Sequence, residues 1–254
     1  MVKTQSSHNI KLMRYQTLFS LLLAFIFTGC GPSAPKISIH EAVERGDIKT
    51  LKEHLEFGTD VNARKDGRTC LHTAAWLGHT ELAKLLIAGG AELDSVDDDG
   101  VFSPLHAAMA EDHFEMVELL ISEGADVNVS TPAKMTCLHL AVSVGVLGEI
   151  GHDYAKNPEL SAKKLNIVRG APNVRIIELL IAAGANINAR NREDATPLHL
   201  AAVNGIEEVC ELLISEGADL KAVAVNGHTP LSLATVQGNR EVVILLRRHL
   251  TSRR

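Results

Sequence analysis

Thr69-Cys70-Leu71-His72, Ser103-Pro104-Leu105-His106, Thr136-Cys137-Leu138-His139, Thr196-Pro197-Leu198-His199 and Thr229-Pro230-Leu231-Ser232 are versions of one tetrapeptide, recurring at intervals of 34, 33, 60 and 33 residues. A period of this size is the signature of a solenoid, in which each unit buries its apolar face only against its neighbours. The leading Thr or Ser accepts from free N–H groups of a first helical turn, and Pro in the next position has the φ a helix needs. Each tetrapeptide therefore reads as a helix start. About ten residues later comes a Gly or polar break (Gly78, Asp112, Gly145, Gly205, Gly238), and then a second apolar run with helical spacing, such as Leu82, Leu85 and Leu86 or Val209, Leu212, Leu213 and Ile214.

The second helices stop at Gly58, Gly90, Gly124, Gly184 and Gly217, where a residue without Cβ takes the left-handed cap. Short segments such as Asp126-Val127-Asn128 and Asn186-Ile187-Asn188 follow, leading into turns such as Lys65-Asp66-Gly67-Arg68 and Asn226-Gly227. The unit is helix, turn, helix and a protruding hairpin-like loop. On these Thr-Pro-Leu-His starts, Leu-Leu-Ile stripes and Gly-Ala-Asx-Val/Ile-Asn exits, Ile37 to Leu250 resembles an ankyrin-repeat protein. The resemblance implies an all-α repeat solenoid of about six units, near 37–68, 69–102, 103–135, 136–195, 196–228 and 229–250, followed by a tail at 251–254. The first unit is degenerate and its polar second helix, with Lys49, Lys52, Glu53 and Glu56, suits an N-terminal cap; Arg247-Arg248-His249 suits a C-terminal one.

The long fourth interval holds an insertion: by alignment of the repeats, residues 146–172 are 27 extra, placed between the two helices of the fourth unit. A segment of that length in a compact domain generally has a use. Its Gly148, Gly151, His152, Asp153 and Tyr154 read as a turn presenting a polar aromatic, either a second contact site or a packed loop.

The N-terminus is of another kind. Leu18 to Phe27 is an apolar run interrupted only by Ser20, preceded by Lys11 and Arg14 with no acidic residue before it. It is shorter than the roughly 20 residues that span a bilayer and reads as a secretion signal. Phe27-Thr28-Gly29-Cys30 resembles the lipobox of bacterial lipoproteins, which implies a signal peptide at 1–29, lipid on Cys30, a tether at 30–36 and attachment to an envelope membrane, with the outer membrane facing the periplasm as the expected site. An uncleaved anchor or a buried hydrophobic helix is the alternative, and Met13 is a second candidate start. Removal of residues 1–29, which carry three basic and no acidic side chains, takes the formal net charge from −6 to −9. Such a surface is a poor match for nucleic acid.

The repeat scatters reactive residue types without gathering them. His40, His72, His106, His139 and His199 form a ladder, but neighbouring rungs lie a helix-packing distance apart, roughly 8–10 Å, and zinc ligands sit about 2 Å from the metal. The rings are expected to bond backbone and the Thr hydroxyl. Cys70, Cys137 and Cys210 are too far apart in the stack for a disulfide and read as buried small apolar residues. The sequence contains no Gly-x-Ser-x-Gly, His-Glu-x-x-His or phosphate-cradling loop, so neither an enzyme nor a cofactor is expected.

Ankyrin-like proteins bind other proteins through hairpin tips and the exposed side of each first helix. Carried onto this chain, the resemblance implies contacts from Arg45, Trp76, Leu77, Glu111, Asn204 and Gln237 on first helices and from Arg68, Phe102, Met135, Arg192 and His228 at the tips. Trp76 is the only Trp, and exposed Trp is enriched among binding hot spots. The expected function is a monomeric, lipid-anchored scaffold or inhibitor of another envelope protein. The rival readings are an enzyme using His152, Asp153 and Tyr154, and a self-associating envelope protein.

Overall fold

The computed structural model describes residues 34–98, 100–143 and 173–252. Among them are twelve helices in pairs: α1 Ile39–Glu44 with α2 Ile48–Phe57, α3 Cys70–Leu77 with α4 Thr80–Ala88, and α5 Pro104–Ala110 with α6 Phe114–Ser122. The next pairs are α7 Cys137–Val142 with α8 Val174–Ala182, α9 Pro197–Asn204 with α10 Glu207–Ser215, and α11 Pro230–Gln237 with α12 Arg240–Ser252. One hairpin tip forms a minimal antiparallel pair, β1 Arg64–Lys65 and β2 Arg68–Thr69, in register Arg64 to Thr69.

Every tetrapeptide start is a helix N-cap. Thr69, Ser103, Thr136, Thr196 and Thr229 are extended, and each forms a reciprocal capping box with the third helical residue, which is His in four repeats and Ser232 in the last. The first repeat is shifted by one residue from the expected alignment: Ser38 is the cap, accepting from the Glu41 N–H, so Glu41 holds the place of the ladder histidine and His40 does not belong to the ladder. The breaks between helices are left-handed at Gly78, Gly205, Gly238 and also at Asp112, whose φ is +58°. At Gly78 an added Cβ would lie 2.8 Å from the His113 ring, which would have to shift.

First helices stack on one another in a row from α1 to α11, and a second row behind joins α2 to α4, α4 to α6, α6 to α8, and α10 to α12. The core between the rows is continuous and built of small and aliphatic groups, among them Leu51, Leu86, Leu105, Leu120, Leu138, Ile177, Leu198 and Leu213. Its burial is the main driving force, since each short helix alone is too small to persist in water.

The fourth repeat departs from the others. Its first helix ends at Val142 and its second begins at Val174. The expected turn at His152, Asp153 and Tyr154 lies outside the described residues, as do Cys30 and the preceding signal. No helix among the described residues is long and apolar enough to cross a membrane.

Candidate binding surface

Two sets of polar side chains hold the surface in place. The first is the histidine ladder. In His72, His139 and His199, Nδ1 accepts from the N–H of the capping Thr, while Nε2–H donates across to the backbone carbonyl that ends the next loop: Phe102 at 3.0 Å, Ala195 at 3.1 Å and His228 at 3.2 Å. The rings are neutral links between repeats. Burial lowers the pKa of all three, and holds that of His106 down to about 4. Protonation would also place a hydrogen on Nδ1 against the Thr N–H. His106 keeps its cap through Ser103, but its buried Nε2 has no partner.

The second set is a row of Asn side chains at the loop exits. Asn62, Asn128 and Asn188 each accept from an N–H of the next loop (Glu92, Asn186, Asp219) and donate to a carbonyl there (Gly90, Gly184, Gly217). Sequence reasoning noticed these Asn residues as a loop motif and missed their role as bridges; their recurrence at the repeat period was the available signal.

On this frame the expected contact residues fall into three groups. Arg45, Leu77, Glu111, Gln237 and Arg192 are exposed, Leu77 at 41%. Arg45 forms an ion pair with Glu41 on its own helix. Trp76, Arg68, Phe102, Asn204 and His228 are half-buried and already engaged. The Arg68 guanidinium lies over the Trp76 ring, 5.7 Å from its centroid, and His113 donates to the Trp76 carbonyl. The Phe102 ring meets His106 edge-on at 6.1 Å; Asn204 donates to the Val142 carbonyl; the His228 ring bonds Ser232.

Met135 is a correction. It is 3% exposed, its N–H donates to Thr131 Oγ1, its carbonyl accepts from the Thr131 N–H and its sulfur accepts from Asn191. The loop turns the side chain under the tip, between repeats, so it offers nothing to a partner. Val236, next to Gln237 in α11 and a first-helix contact by the same resemblance, is 70% exposed.

Reactive groups are dispersed. Cys70, Cys137 and Cys210 are free and buried, and desolvation raises all three thiols, Cys70 and Cys210 to about 12. Among the described residues no three His, Cys, Asp or Glu side chains are placed to hold a metal ion.

A helix pair closed by a capping box, repeated with a hairpin tip between copies, defines a solenoid of interaction modules. The family model for ankyrin repeats matches residues 39–131, 90–150 and 166–252, and the chain belongs to that family. It is similar to human ankyrin repeat and SOCS box protein 16, at 31% identity over 67% of this chain and 34% of that protein. It also resembles human protein phosphatase 1 regulatory subunit 27, at 38% identity over 25% of this chain and 42% of the relative, and the Arabidopsis thaliana E3 ubiquitin-protein ligase KEG, at 27% identity over 70% and 12%. The chain thus spans about a third of the length of the first of these, and 12% of the ligase.

Proposed function

We propose that this protein is a lipid-anchored component of a bacterial envelope that binds another protein through the exposed side of its first helices and the adjoining tips. The observation that carries the binding reading is the set of apolar and aromatic side chains on that side: half-buried Trp76 beneath Arg68, with Leu77 and Val236 exposed. A half-buried Trp roofed by a guanidinium is a pre-formed anchor, and its neighbours add apolar area at low entropic cost. The likeness to a protein phosphatase 1 regulatory subunit supports a binding rather than a catalytic role. The anchor reading rests on the apolar run at 18–27 and the residues preceding Cys30. Two such signals make the partner's natural location the membrane surface, where the anchor raises its effective concentration. The protein acts as a monomer that holds or inhibits its partner.

The test has two arms. With the full chain in detergent extract of its own envelope, cross-linking identifies the bound protein; Trp76→Ala should weaken that complex by about 30-fold or more, the range of a hot spot. Retention of full affinity by both Trp76→Ala and Val236→Asp would move binding off this face. Separately, Cys30→Ser should abolish palmitate labelling and release the protein from the membrane fraction; unchanged labelling would refute lipidation at that residue.

A further inference from the structure

Four pairs of successive loops meet along the tip side of the stack, and three of them are bonded in the same way. In the first, third and fourth pairs, an Asn bridges the loop exits with two hydrogen bonds, as described for Asn62, Asn128 and Asn188. A backbone N–H at one tip donates to a carbonyl of the preceding tip: Asp98 to Gly67 at 3.0 Å, Arg192 to Ala133 at 3.0 Å, Val225 to Glu193 at 2.9 Å. A ladder His donates from its helix to the end of the following loop, at Phe102, Ala195 and His228.

In the second pair, between the loop that ends at Phe102 and the loop that ends at Met135, all three links are reduced. The bridging position is Asp94, which accepts from the Asp126 N–H at 2.9 Å but has no N–H to return to Gly124. The residue in the place of Asp98, Arg192 and Val225 is Pro132, which has no backbone N–H at all. The ladder rung is His106, whose Nε2 is unpartnered. Three independent substitutions thus weaken one junction and spare the others. On the opposite, turn side the helix pairs that follow these two loops are clamped: Arg175 sits 3.9 Å over the Phe114 ring, and Asn173 donates to Asp112 at 2.6 Å.

We propose that the solenoid has a built-in joint between its third and fourth helix pairs, each moving with the loop that precedes it, which opens on the tip side and pivots about the Arg175–Phe114 and Asn173–Asp112 clamp. The stack is then two stiff plates. One carries Trp76 and Leu77 and the other carries Val236 and Gln237, so the joint sets the angle between the two ends of the exposed first-helix face. In a nearest-neighbour stack, the junction with the weakest interface opens first, wherever it lies along the chain. The joint follows from bonding within the stack, so it stands or falls separately from the binding reading.

The amides of Glu92, Asp126, Asn186 and Asp219 are equivalent reporters, each donating to the bridging side chain of one junction at 2.8–2.9 Å. Residue-resolved hydrogen exchange on the full chain should find Asp126 fastest, by about tenfold or more over Asn186, since each missing net bond is worth roughly a factor of five in opening. Fraying from the ends predicts the reverse, with the two outer amides fastest and Asp126 among the slowest. The double substitution Asp94→Asn and Pro132→Arg should slow Asp126 to the rate of Asn186 and leave Glu92 and Asp219 unchanged. Equal protection of Asp126 and Asn186 in the unaltered chain would overturn the joint, as would a double variant that folds yet leaves Asp126 fast.

Discussion

Replacing His139 with Ala and, separately, His106 with Ala compares two side chains that are alike in all but one bond. Both are ladder residues at the third position of a first helix, both close a capping box, and they are 0% and 2% exposed. Truncation in either case leaves a cavity and a buried Ser or Thr cap with an unmet backbone N–H, a shared loss of about 3 kcal/mol. His139→Ala also loses the 3.1 Å bond from Nε2 to the Ala195 carbonyl, worth about 1 kcal/mol. His106→Ala instead removes a buried N–H that has no partner, a relief of about 1 kcal/mol at the least. His139→Ala should therefore be the more damaging by about 2 kcal/mol. Urea unfolding followed by circular dichroism at 222 nm gives both values from the midpoint shifts, provided the slope is unchanged; a slope change in either variant is itself a sign that the stack no longer unfolds as one unit. Equal losses, or a greater loss at His106, would show that the inter-repeat bond is not what the ladder contributes.

The ladder also makes stability fall with acid. Because the folded pKa values of His72, His106, His139 and His199 lie below the ordinary value of 6.5, the unfolded chain binds protons first, so their contribution is complete above about pH 6.5 and is lost as pH drops toward the folded values, about 4 for His106. His106 alone accounts for up to about 3 kcal/mol of that loss. Unfolding midpoints flat from pH 7 to about pH 4 would refute this. Gly78→Ala should cost about 2–3 kcal/mol against about 1 kcal/mol for Gly58→Ala, since both have positive φ but only at Gly78 would a Cβ strike a neighbouring ring, that of His113; thermal melts distinguish the two. The thiols of Cys70, Cys137 and Cys210 should resist a thiol-reactive dye at pH 8 in the folded protein and react at once in denaturant, because burial keeps them protonated; rapid labelling of any one in buffer would contradict its burial.

The repeat was legible because its signals are local. Thr196-Pro197 sets a cap and a φ angle within two residues, and Gly184 ends a helix by its own backbone freedom, so neither waits on a distant partner. The contact set was legible only in part. Arg192 and Gln237 are exposed as expected, whereas Met135 occupies a tip position in the alignment yet points inward, because Thr131 pulls its backbone round and Asn191 of the next loop donates to its sulfur. The one-residue shift at Ser38 was missed for a related reason: Ile37 matched the interval, but the cap goes to the residue whose hydroxyl reaches the Glu41 N–H.

Taken alone, the amino-acid sequence determined the family, the number of helix pairs and the bonding of the ladder rings to backbone and cap, since each depends on the chemistry of a few adjacent residues repeated in phase. Tertiary structure decided which rungs are joined. Asp94, Pro132 and His106 are unremarkable in a linear reading, spread over 39 residues. They meet at one junction only when the loop that ends at Phe102 is laid against the loop that ends at Met135, because a missing hydrogen bond is a property of two loops brought together and belongs to neither of them.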